Sequence, residues 1–193
     1  MRAETGGVSA LLLAPGAGAD RDQSALVAID DALAAHGLPV ERIDFPYRLA
    51  GRRAPDRQSV LVASVVAAAR RLANDLGVPP GRVALGGRSM GGRMCSVAVA
   101  EGLPAAALVL VSYPLHPPGK PDKLRVEHFR AIGVPCLFVS GTRDPFATPS
   151  ELEAATAAIA GPVTRVFVEN ADHGLRRRDG EVAELVASWV LAL

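Results

Sequence analysis

The sequence has little that would mark it for the cell exterior, a membrane or a nucleic acid. Only two of its 193 residues are cysteines, Cys95 and Cys136. That is too few for a disulfide framework, and their spacing is not that of a metal site. Both sit in apolar surroundings, which fits a reducing cytoplasm. Lysine is nearly absent, Lys120 and Lys123 being the two examples; the arginine bias reads as genomic base composition. Lys+Arg 21 against Asp+Glu 20 leaves a net charge of +1, so no bulk field argues for nucleic acid or an anionic membrane surface. No apolar run approaches a membrane-spanning length. The opening "MRAETGGVSALLLAPGAGAD" loosely has the order of a secretion signal. Its apolar run Val8 to Ala14 is at the lower limit for one, however, and Glu4 spoils the basic flank, so a cytoplasmic location is expected.

What is present is a chain 49% apolar and 21% charged, the balance of a soluble globular protein. No linker, internal repeat or low-complexity tract divides it, and residues 1–193 read as a single domain. Short apolar runs alternate with segments rich in Ala, Leu, Glu or Arg. The spacing predicts strands at Val8–Leu13, Val40–Phe45, Val83–Gly86, Ala107–Ser112, Cys136–Ser140 and Thr164–Glu169. Their cores ("ALLL", "ALVLV", "CLFV") are near-continuous, as in parallel strands covered on both faces. Helices are predicted at Asp22–Ala35, Arg57–Asp75, Ser89–Ala100, Lys123–Ala131, Pro149–Ala160 and Gly180–Ala192. Gly37, Gly77, Gly102 and Gly161 each stand where a helix should end. Repeated βα units of this kind imply a three-layer α/β/α sandwich around a mostly parallel sheet of about six strands.

Ligands of such sheets bind beyond the carboxyl ends of the strands. The third strand runs into Gly87-Arg88-Ser89-Met90-Gly91, a G-x-S-x-G stretch between strand and helix, the context of a nucleophile elbow. The sharp turn brings strand and helix close together, so its flanks must be nearly free of side chains, and Gly87, Gly91 and Gly92 meet that demand. A serine hydroxyl is a weak nucleophile and needs a base, which needs an orienting carboxylate. Of four histidines, His36 reads as a helix-end residue, His128 as a half-buried helical one and His116 as a candidate pocket residue. His173, in the loop after the last strand, stands where the base belongs. Asp144 follows the fifth strand and completes the order Ser, Asp, His; capping the next helix is its plainer reading in isolation. Oxyanion donors are expected from the backbone N–H of Met90 and, in the turn Pro15-Gly16-Ala17-Gly18, of Ala17, since Pro15 has none. Gly16-Ala17-Gly18 lacks the third glycine of a dinucleotide fingerprint.

Assembled, these residues resemble the α/β-hydrolase superfamily over nearly the whole chain. More narrowly they are similar to the small dienelactone-hydrolase-like group that includes testis-expressed protein 30 and the third subunit of the NSL complex. The carrying stretches are "LLLAPGAGAD", "FPYR", "GGRSMGGR", "YPLHPPGKP", "LFVSGTRDPF" and "ENADHGL". The resemblance implies Ser89 as nucleophile, His173 as base, Asp144 as acid, Met90 and Ala17 as oxyanion donors, no cofactor and no metal. It departs from dienelactone hydrolases proper, which use cysteine where this chain has Ser89, and from relatives with histidine at Pro15. Against the full hydrolase sheet the two earliest strands are expected to be missing, giving a minimal six-stranded sheet, and the short segment between the fourth and fifth strands leaves no room for a lid domain.

The expected chemistry is esterase or thioesterase-like hydrolysis of a small acyl substrate. A non-catalytic binding or scaffold domain on the same shell is the alternative, and acyl transfer to an acceptor other than water a third. Gly16, Tyr47, Arg48, Arg88 and His116 are the candidate substrate-binding residues, with "FPYRLAGRRAPDR" and "YPLHPPGKP" expected to border the site. Arg48, Arg52, Arg53 and Arg57 could favour an anionic group, although solvated loop arginines are the simpler account. Arg88 and Arg93, flanking the elbow, could equally be structural ion-pair members.

Overall fold

The computed structural model describes residues 7–193; Arg2 and Glu4 of the signal-like opening lie outside them. The strands are β1 Ala10–Ala14, β2 Val40–Arg42, β3 Val83–Arg88, β4 Leu108–Val111, β5 Cys136–Gly141 and β6 Val163–Val168. The helices are α1 Ser24–Ala34, α2 Pro46–Leu49, α3 Gln58–Leu76, α4 Met90–Ala100, α5 Pro149–Thr156 and α6 Asp179–Leu191. All six strands join one parallel sheet in the order β2-β1-β3-β4-β5-β6. The chain steps from β1 out to the edge, returns past β1 to β3, and then proceeds strand by strand. The order therefore reverses between β1 and β3, the position where a crevice opens beyond the strand ends.

Every residue of β1, β4 and β5 is buried, because helices cover both faces. Ala10, Leu12 and Ala14 face a core shared with α3 and α4, whereas Leu11 and Leu13 face one shared with α1 and α6. Two-residue alternation thus divides one apolar run between two cores. Each fully buried Leu or Val contributes about 1.5–3 kcal/mol relative to exposure.

Three elements depart from expectation by more than a residue or two, each for a local reason. β2 ends at Arg42 because Phe45 and Pro46 open the short α2, with proline at its first turn. No α-helix spans Lys123–Ala131; only a 3-10 turn at Glu127–Ala131 forms. The Arg125 N–H instead donates to the Leu115 carbonyl, tying that segment back across the loop. α5 stops at Thr156, after which the N–H groups of Ala160 and Gly161 both donate to the Ile132 carbonyl. Gly161 accordingly is no helix cap: a Cβ there would strike the Val134 and Gly133 backbone. Gly77 does cap α3, at φ 65°.

The tightest packing is at the β3–α4 turn. A Cβ on Gly87 or on Gly91 would overlap the Ala14 carbonyl, and one on Gly92 would lie 2.7 Å from the Gly87 oxygen. Gly86, to which the sequence reading assigned no role, meets the same limit against Val109. Gly91→Ala should therefore lower stability by about 3 kcal/mol through overpacking. Gly180→Ala, in the first turn of α6 with open space around it, should raise stability by about 0.5–1 kcal/mol. Urea unfolding of both variants measures the contrast, and equal midpoints would refute it.

Candidate active site

Ser89 stands at the reversal point, between the end of β3 and the first residue of α4. Its backbone is held at φ 50°, ψ −115°, a conformation that costs a non-glycine residue about 1–3 kcal/mol. Its N–H donates to the Val111 carbonyl at 2.8 Å, and its own carbonyl accepts from the Arg93 N–H at 3.1 Å. β4 and α4 thus pin the turn from both sides and lift the hydroxyl off the sheet edge.

His173 and Asp144 reach this point from loops after β6 and β5 that are sewn together. Thr142 N–H donates to the Val168 carbonyl, Arg143 N–H to the Ala171 carbonyl at 2.9 Å, and Asn170 N–H to Thr142 Oγ1. Gly141 permits this, since a Cβ there would run into the Ala171 carbonyl. His173 Nε2 lies 2.9 Å from Ser89 Oγ. Its Nδ1 lies 2.8 Å and 3.0 Å from the two Asp144 carboxylate oxygens. A carboxylate accepts only, so Nδ1 carries the ring proton and Nε2 is left to accept from the serine hydroxyl. Asp144 is 1% exposed and also accepts from the Phe146 N–H at 2.8 Å. The Phe146 ring packs on the imidazole at 4.1 Å between centroids. Capping of α5 falls instead to Thr148 and Glu151.

The cleft beside Ser89 has a volume of about 380 Å³ and is lined by Gly16, Ala17, Arg88, Met90, Arg93, Pro114, Arg125, Phe146 and His173. In the turn after β1, the Gly16 N–H is taken by Gln23 Oε1 at 3.0 Å and the Gly18 N–H by the Tyr47 hydroxyl at 3.0 Å. Between them, the Ala17 N–H has no acceptor among the described residues. Arg88 donates from its guanidinium to the His173 carbonyl at 2.7 Å, holding the histidine loop from behind. Burial pulls its pKa down, against the opposing charges of Asp179, Asp144 and Asp172.

Of the candidate substrate-binding residues, Gly16 and Arg88 line the cleft; Tyr47, Arg48 and His116 do not. Tyr47 is fully buried under the β1 turn, Arg48 pairs with Asp20, and His116 is buried between Pro117 and Glu151. The "FPYRLAGRRAPDR" segment supplies no lining residue, and "YPLHPPGKP" supplies only Pro114. Phe146 and Arg125 were missed by sequence reasoning. Phe146 sits two places from Asp144 and could have been found; Arg125 gave no signal, because only the loop's return to Leu115 brings it near. Among the described residues no group of three or more His, Cys, Asp and Glu side chains is arranged to hold a metal, and no helix is long and apolar enough to cross a membrane.

A family model described as an alpha/beta hydrolase domain matches residues 7–190. The chain belongs to that α/β-hydrolase family. Its sheet and helices are of the dienelactone-hydrolase-like kind: dienelactone hydrolase from Anabaena variabilis superposes with a TM-score of 0.77 at 22% identity, covering 97% of this chain and 88% of that one. An alpha-beta serine hydrolase homologue from Coxiella burnetii gives 0.76 at 20% identity, with 97% and 88% covered. Est1E from Butyrivibrio proteoclasticus, in a structure with ferulic acid bound, gives 0.79 at 15% identity, with 98% and 90% covered. Epoxide hydrolase A of Mycobacterium tuberculosis is 35% identical over 65 residues, which are 33% of this chain and only 20% of that curated relative's length.

Behind the cleft of this α/β-hydrolase lies a second polar cluster. The Ser96 hydroxyl is 2.8 Å from His128 Nε2 and 3.1 Å from the Tyr113 hydroxyl. Burial, with the nearby Arg93 charge, pushes His128 from 6.5 down to about 4, so its ring is neutral in the folded protein at pH 7. An unfolded chain protonates this histidine near its ordinary value. Between about pH 6.5 and pH 4 the unfolded state therefore binds more protons, and stability is lost as pH falls through that window. Urea midpoints compared at about pH 7 and pH 4.5 should drop less in His128→Gln than in the native protein; an equal drop would exclude His128 as a contributor.

Proposed function

We propose that this chain is a serine hydrolase acting on ester or related acyl bonds, with Ser89 as nucleophile, His173 as general base and acid, and Asp144 as the orienting carboxylate. The observation that carries this reading is the unbroken hydrogen-bonded line from Ser89 Oγ through both ring nitrogens of His173 to the buried Asp144. Family membership supports hydrolysis in general. Structural neighbours bearing the names esterase and dienelactone hydrolase support acyl chemistry.

In this mechanism His173 Nε2 takes the Ser89 proton as Oγ attacks the substrate carbonyl. The developing oxyanion is met by the N–H groups of Met90, at the N-terminus of α4, and of Ala17, the donor left open in the β1 turn. The imidazolium, stabilised by the Asp144 carboxylate, then protonates the leaving group. Water enters and attacks the acyl carbon while giving its proton to His173, which returns it to Ser89 Oγ as the acyl–oxygen bond breaks and the acid departs. The elbow strain keeps Oγ in attacking position without rearrangement, and Arg88 keeps the histidine backbone in place. We assign this activity to a cytoplasmic enzyme with a small-molecule substrate, without cofactor.

A panel of acyl esters and thioesters tests the reading, together with labelling by a fluorophosphonate. Ser89→Ala should abolish labelling and lower kcat by about a thousandfold or more. Ala17→Pro, which removes one N–H, should lower kcat by about a hundredfold. Labelling that persists in Ser89→Ala defeats the assignment. Absence of turnover and of labelling in the native protein would support the binding-domain alternative instead.

A further inference from the structure

Among the described residues the half-buried arginines Arg42, Arg48, Arg82, Arg88 and Arg165 all have a polar partner, and two others in the active-site cleft do not. Arg21, Arg42, Arg48, Arg52, Arg71 and Arg178 each hold a carboxylate. Arg82, Arg88 and Arg165 donate to a hydroxyl or carbonyl oxygen. Among the described residues, the arginines with no polar partner for the side chain are all exposed, with two exceptions: Arg93 and Arg125, both half-buried. These two line the cleft beside Ser89. The Arg93 Nε is fully shielded from solvent with no acceptor. No carboxylate among the described residues comes within ion-pair distance of either guanidinium.

A buried guanidinium donor left unsatisfied costs more than a neutral one, and a second positive charge facing the same cleft adds repulsion. The local groups do not relieve it. His128 is neutral, and Tyr113 and Glu127 act on Arg93 without accepting a hydrogen bond from it; burial, with the Arg125 charge, outweighs them and pulls the Arg93 pKa down. Guanidinium forks match planar carboxylates with two parallel hydrogen bonds. We propose that Arg93 and Arg125 form an anion subsite, and that the esters this enzyme hydrolyses carry a carboxylate within reach of the scissile bond. Arg93 sits four residues after Ser89 on α4, so the distance from nucleophile to subsite is set by one helical turn. Arg125 closes the subsite from the β4–β5 loop. The loop arginines Arg48 and Arg52, by contrast, are engaged with Asp20 and Asp56.

This subsite rests on the hydrolase reading, and the test separates the two. Two matched pairs of esters place the carboxylate on either side of the bond: mono-p-nitrophenyl adipate against p-nitrophenyl hexanoate, and p-acetoxybenzoate against its methyl ester. The native enzyme should favour the carboxylated member of at least one pair by about tenfold or more in kcat/KM. That ratio should fall toward one in Arg93→Gln and Arg125→Gln, mainly through KM, and recover in part in Arg93→Lys. Adipate alone should raise the melting temperature of Ser89→Ala but not of Ser89→Ala carrying Arg93→Gln, a readout independent of turnover. Equal rates within both pairs, or a preference untouched by either glutamine variant, overturn the subsite while leaving the hydrolase intact. No hydrolysis with adipate still binding through Arg93 overturns the hydrolase and keeps the subsite.

Discussion

The structure depends on one close approach: the first turn of α4 lies against the end of β1, with the Ala14 carbonyl where side chains on Gly87 and Gly91 would have to be. That contact makes the β3–α4 turn sharp enough to hold Ser89 at its strained angles. It also brings the open turn after β1 alongside the serine. Parallel pairing of β1 with β3 places Ala14 opposite Gly87, so the two loops leave the sheet at one level. Everything else in the site is added around this fixed corner.

The additions come from the other side of the sheet. β5 and β6 end in loops joined by backbone hydrogen bonds, and these carry Asp144 and His173 toward β3 as a unit. Arg88 reaches back from the elbow to the His173 carbonyl, so the serine and histidine segments are tied together apart from their side-chain contact. The cleft that results combines a preorganised polar line with two guanidiniums that have no carboxylate partner among the described residues.

Much of this was legible in the residue order. The buried strands announce themselves as continuous apolar runs because helices cover both sheet faces, whereas the strand order came only with the structure. That Ser89, Asp144 and His173 would meet was readable because each follows its own strand, and strand ends of a parallel sheet share an edge. The substrate side was not. Tyr47 and Arg48 follow β2 in the expected way, yet Tyr47 turns under the Gly18 N–H and Arg48 meets Asp20. His116 is drawn down against Glu151. A position after a strand does not say whether a side chain faces the crevice or the loop beneath it.

The sequence by itself determined the alternation of strands and helices, the glycine corner and the placing of Ser89, Asp144 and His173 after three different strands, because these depend on local pattern and on spacing along the chain. Tertiary structure alone decided which arginines pair. Arg88 and Arg93 are five residues apart in one glycine-rich stretch, yet one holds the His173 backbone and the other is left half-buried without a partner among the described residues. Arg125 joins Arg93 only because its backbone N–H is drawn to the Leu115 carbonyl, which leaves the expected helix unformed. Whether a charge is satisfied depends on distances between segments far apart in the chain, and those distances exist only once the fold has closed.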